Sequence, residues 1–111
     1  MAKLPHADRA VIAPDKLRDY LLNPGHRRGA SKAKLLLSLG YRTEQWQRLE
    51  TDLRGQHLGV DVATTIDTGY GVRHEIVAPL IGPNGHSVTF RSIWQIDTGT
   101  DEPRLITMVP E

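Results

Sequence analysis

The chain is expected to fold as an α+β domain: about three N-terminal helices packed on a four-stranded antiparallel meander. Two observations carry that expectation. Leucines recur at helical spacing through the first half, and Val, Ile and Thr alternate through the second. The helical part spans about residues 14–54 and the sheet part about 60–110, together making one domain over 1–111. In "APDKLRDYLLN", Pro14 suits a first helical position, Leu17, Tyr20 and Leu21 share a face, and Asn23-Pro24 ends the segment. "SKAKLLLSLG" opens on Ser31 as N-cap, turns Leu35, Leu36 and Leu39 inward, and closes on Gly40. "TEQWQRLETDLRGQH" starts at Thr43, aligns Trp46, Leu49 and Leu53, and stops at Gly55. Four strands follow. "VDVATTID" places Val60, Val62, Thr64 and Ile66 on one side. "VRHEIVAPLIG" and "HSVTFRSIWQID" join through Gly-Pro-Asn-Gly, a strong hairpin signal, and "PRLITMV" ends the sheet. Pro79 lacks a ladder donor and implies an edge or a bulge.

Composition bounds the chemistry. The 111 residues are 39% hydrophobic and 24% charged, enough for a core without staples, and there is no cysteine. Thiolate chemistry and sulfur-ligated zinc are thereby removed. Fourteen Lys and Arg stand against thirteen Asp and Glu, a net charge of +1, so any electrostatic function has to come from local clustering. Asp8, Pro5 and Pro14 interrupt the apolar character of the N-terminus, and a cytoplasmic protein with no membrane partner is expected. "TGYGV" is not followed by a helix pattern, so no nucleotide cofactor is implied.

The basic stretch "HRRGASKAK" brackets a helix start, where free N–H groups attract anions. Arg27, Arg28 and Lys32, with the backbone from Ser31 to Lys34, form one candidate phosphate site. The plain alternative is a solvated helix connection. Lys16 and Lys32 also fit as snorkelling side chains at the core edge. Trp94 shares a face with Phe90 and Ile96, so packing is expected for it rather than base stacking. Arg104 and Thr107 lie on opposite faces of an ideal strand and join one site only if a bulge intervenes. His6, His57 and His86 lack the pairing of metal ligands and are expected at the surface, with no metal bound.

"LPHADRAVIAPDKLRDYLLNPGH", "GASKAKLLLSLGY", "GPNGHSVTFRSIWQI" and "PRLITMVP" together resemble a bacterial family of domains of unknown function. Its members occur as small standalone proteins and as C-terminal modules of polymorphic, contact-dependent toxins. The matching features are Lys16 and Tyr20, the His-x-x-Gly-x-x-Lys-Ala pattern at His26, Gly29, Lys32 and Ala33, then Trp94 and Pro103 to Thr107. The chain departs at His74, where Tyr is more usual, and at Arg27, where Pro is usual. The first departure weakens any catalytic role for His74.

Helices followed by a four-stranded antiparallel sheet also resemble barnase, the colicin ribonucleases and the RelE-type toxins, which cleave RNA. The resemblance implies a toxin-like effector of a bacterial toxin–antitoxin or toxin–immunity pair, acting as a metal-independent ribonuclease with a cognate antitoxin or immunity partner. The alternative is a non-enzymatic binding module, such as the antitoxin or immunity partner itself. Metal-free RNA cleavage requires an acid, a base and cations for the phosphorane. The catalytic candidates are Lys32, His26, Arg104 and Thr107. Arg27, Arg28, Ser31, Lys16 and Tyr20 are the candidate substrate-binding set.

Overall fold

A computed structural model describes residues 2–111. Four antiparallel strands form one sheet in sequence order, the expected meander: β1 Thr64–Asp67, β2 Gly71–Ile81, β3 Ser87–Asp97 and β4 Arg104–Pro110. Alternation along β2 and β3 sends Ile76, Ala78, Leu80, Phe90 and Trp94 to one face, all buried. Leu17, Leu21, Leu36, Leu49 and Leu53 from the helical half complete that core. Trp94 is fully buried and donates from Nε1 to Ser92 Oγ at 2.9 Å. Its role is packing, as expected.

The helical half departs from the expected pattern in three places. The first helix is a π-helical turn, Lys16–Leu21, closed by Leu22 N–H donating five residues back to Leu17 O at 2.8 Å. The second, α1, runs Ala30–Ser38 and puts Gly29 rather than Ser31 at the N-cap position. Ser31 is exposed and inside the helix; the side chain that serves the helix entry is His26, whose Nδ1 accepts N–H from Arg28 at 3.0 Å and from Gly29 at 3.1 Å. The third, α2, spans Trp46–Gln56 after a 3-10 turn at Thr43–Gln45, so Gly55 does not end it. Its exit is tied instead by His57 and Leu58 N–H donating to Leu53 O.

His57 is a further correction. It is 0% exposed rather than at the surface, because its Nδ1 pairs with Ser92 Oγ at 2.8 Å on the core face of β3. The first strand is shorter than expected: Val60 and Val62 pack against the core before pairing begins at Thr64. Gly40 has φ 97 and Gly85 φ 87, so both glycines occupy the left-handed conformations that the helix end and the hairpin require. Pro79 pairs with Thr89 of β3 beyond the reach of β1, which ends opposite Glu75, and is therefore locally at an edge.

One irregularity in β4 positions the site. Ile93 faces Thr107, yet Trp94 faces Leu105, leaving Ile106 as an extra residue. This bulge turns Leu105 and Met108 both inward although they are three apart. Arg104 and Thr107 consequently share the outer face. Val11 pairs in parallel with Arg104, through Val11 N–H to Pro103 O at 2.7 Å and Leu105 N–H to Val11 O at 2.9 Å, and covers the start of the edge.

Candidate functional site

Where α1 and the π-helical turn meet the edge strand, three side chains from distant parts of the chain converge. Lys32 Nζ donates to Tyr20 Oη at 2.8 Å and to Thr107 Oγ1 at 3.1 Å, and the two hydroxyls are 3.2 Å apart. The local sequence explains why Tyr20 reaches this point. The π-helical turn carries it half-buried at the margin of the core that Leu17 and Leu21 enter, and His26 packs edge-on against its ring at 4.8 Å between centroids. Gly29 supplies the room. A Cβ there would stand 2.8 Å from Tyr20 O and 2.9 Å from its ring. The His-x-x-Gly-x-x-Lys spacing thus has a mechanical reading: His26 holds the turn and the ring, Gly29 admits the ring, and Lys32 reaches its hydroxyl.

The Tyr20 hydroxyl opens onto a cleft of about 560 Å³ lined by Asp15, Lys16, Asp19, Tyr20, His26, Arg28, Ile106 and Thr107. Lys16 Nζ lies 5.8 Å from the ring centroid and Lys32 Nζ 5.2 Å. Partial burial pushes the Tyr20 phenol up, but hydrogen bonds from Lys32 and Thr107 and the charges of Lys32 and Lys16 outweigh it, so its pKa falls below the ordinary tyrosine value. At the rim, Arg18 pairs with Asp19 at 2.9 Å and holds that carboxyl below its usual range.

The sequence candidates therefore divide. Lys16, Tyr20, His26, Arg28 and Thr107 line one cleft, and Lys32 stands behind its two hydroxyls. His26 uses Nδ1 as an acceptor for two backbone N–H groups, which commits that nitrogen to the helix entry. Arg104 lies in a neighbouring cleft, held by Asp97 at 3.0 Å. Arg27 and Ser31 are exposed and line neither cleft. The expected cradle on the backbone of residues 31–34 is reduced, because α1 begins two residues early, Ala33 N–H already bonds Gly29 O at 2.9 Å, and Lys32 turns toward Tyr20. His74 is buried and bonded to Thr65 Oγ1 at 3.0 Å, away from this cleft.

Sequence reasoning missed Asp15, Asp19 and Ile106, for which no local signal exists. It also passed over Tyr70, which is 82% exposed and flanked by two glycines in a strand connection. Among the described residues no group of three His, Cys, Asp or Glu is placed to hold a metal ion, and no helix is long and apolar enough to cross a membrane.

Helices on one face of a four-stranded antiparallel meander, with a Tyr–Lys–Thr cluster at the edge strand, define the class of this α+β domain. The chain belongs to the family described as "Domain of unknown function (DUF6883)", whose model matches residues 3–111. A similar fold occurs in a solved contact-dependent growth inhibition toxin–immunity protein complex from Klebsiella pneumoniae 342, at 18% identity and TM-score 0.64 over 95% of this chain and 96% of that chain. No curated protein matches the sequence.

Proposed function

We propose that the chain is the toxin-like member of a bacterial toxin–antitoxin or toxin–immunity pair and acts as a metal-independent ribonuclease. The observation that carries this reading is the Tyr20–Lys32–Thr107 cluster opening on a cleft that also holds Lys16 and Arg28. The fold shared with a chain of the Klebsiella complex supports the toxin or immunity context. In the proposed reaction the 2′-oxygen attacks the adjacent phosphorus and the P–O5′ bond breaks, leaving a 2′,3′-cyclic phosphate and a 5′-hydroxyl. Tyr20, as phenolate, takes the 2′-proton, and Lys32 and Thr107 hold the phenolate form by donating to it. Lys16 and Arg28 stabilise charge on the phosphorane, and Lys16 delivers the proton to O5′. His26 keeps the Tyr20 ring in position.

The alternative is an antitoxin or immunity module that docks a partner through an apolar patch or an open edge. Of the exposed large hydrophobics, Ile66 and Tyr70 lie together at the end of β1, Ile81 closes β2 at its other end, and Val11 covers the start of β4. That distribution favours the enzyme reading. Inducible expression in bacteria, with growth and total-RNA integrity followed together, tests it. Growth arrest with RNA breakdown is expected, relieved by Lys32→Ala, because loss of one positioned donor typically costs about 10²- to 10³-fold in rate. Healthy growth with intact RNA at high expression overturns it.

A further inference from the structure

We infer that the cleft on the outer face of the sheet is a nucleobase subsite, which receives an unpaired base of single-stranded RNA next to the phosphate proposed to lie between Lys16 and Arg28. This rests on the ribonuclease reading and names where its substrate continues. The cleft measures about 490 Å³ and shares Ile106 and Thr107 with the Tyr20 cleft, so the two form one path across the edge strand. Thr107 pairs with Ile93 and so shares a face with Gln95, and the β4 bulge brings Arg104 to that face as well.

The lining favours a base over a second phosphate. Arg104 is held by Asp97 at 3.0 Å, and Arg73 lies 3.2 Å from Glu75, which neutralises its charge although its Nε makes no hydrogen bond. What remains is an aliphatic floor, Ile93 and Ile106, the hydroxyls of Thr68 and Thr107, an aromatic ring and a carboxamide. Tyr70 is 82% exposed on the β1–β2 connection and offers a ring face for stacking. Gln95 is 8% exposed, lines the cleft beside Asp97, and donates to Thr68 Oγ1 at a long 3.4 Å. A carboxamide presents a donor and an acceptor side by side, the pattern that matches a base edge.

The test is fluorescence anisotropy with a labelled, fully 2′-O-methylated hexanucleotide of mixed sequence, which the 2′-hydroxyl route cannot cleave, alongside cleavage of the unmodified oligonucleotide. Tyr70→Ala is expected to weaken binding by about 5- to 150-fold, the range for loss of one base–aromatic stack. It should raise KM more than it lowers kcat, and leave Tm unchanged. Tyr70→Trp should bind like the parent, and Lys32→Ala should still bind while failing to cleave. Equal binding by the parent chain and Tyr70→Ala overturns the subsite, while cleavage by both leaves the ribonuclease reading standing. Tyr70-dependent binding without any cleavage by the parent chain keeps the subsite and removes the ribonuclease reading. Absence of oligonucleotide binding, as expected if this face docks a protein, overturns the inference.

Discussion

Substituting Gly29 by alanine separates a mechanical role for this glycine from a merely local one. Its φ of −104 is ordinary for any residue, so backbone strain does not enter. At a site with open surroundings Gly→Ala stabilises by about 0.4 to 1 kcal/mol, through the unfolded chain. Here the new methyl would meet Tyr20 O at 2.8 Å, Cδ1 at 2.9 Å and Cε1 at 3.0 Å. The carbonyl oxygen accepts from Asn23 N–H at 3.3 Å and belongs to the π-helical turn, so it does not move as a free side chain would. Overpacking of this kind costs about 1 to 3 kcal/mol. At roughly 4 °C per kcal/mol, Tm should fall by about 4 to 12 °C. The ring is displaced in relieving the clash, so the Lys32–Tyr20 bond lengthens, and under the proposed ribonuclease reading RNA cleavage falls beyond the loss of folded protein. Thermal unfolding followed by circular dichroism at neutral pH, with cleavage assayed well below Tm, reads both effects. A Tm equal to or above that of the parent chain would refute the close approach and the reading of the His-x-x-Gly-x-x-Lys spacing built on it.

Three further outcomes follow from other sites. Gly85→Val should destabilise by about 1 to 3 kcal/mol, because a β-branched residue is strained at φ 87 while its Cβ meets nothing within 4 Å; an unchanged Tm would refute it. Thr107→Val removes the oxygen shared by Lys32 and Tyr20, and should cost about 0.5 to 1.5 kcal/mol in urea unfolding while slowing RNA cleavage, so full activity would exclude a role for the hydroxyl. Burial holds both His57 and His74 below the ordinary histidine pKa. The unfolded chain then binds more protons as pH falls through about 6.5, and stability, level above that value, drops below it by up to about 1.4 kcal/mol per pH unit for each histidine. Urea midpoints at pH 7.5 and 5.5 measure this: His57→Gln should flatten the drop, and equal midpoints for the parent chain would refute it.

The sequence by itself determined the features that neighbours in the chain can specify. Leucine spacing gave the helical half, β-branched alternation gave the sheet, and Gly-Pro-Asn-Gly gave the hairpin that pairs β2 with β3, because each signal acts over a few residues. Trp94 was legible as core for the same reason, sitting in phase with Phe90 on one strand face. Only the tertiary structure decided which candidates meet. Thr107 lies 87 residues from Tyr20 and 75 from Lys32, and their contact depends on the register of β4 and on the extra residue at Ile106. That bulge also reconciles Arg104 and Thr107 on one face, where strict alternation would separate them. His57 looked like a surface residue because nothing near it in sequence reveals Ser92, 35 positions away, as its partner. Local periodicity records which side of an element faces the core, whereas a site at the seam between helices and a strand edge is set by how the elements dock, and one residue of register moves every side chain along the strand to the opposite face.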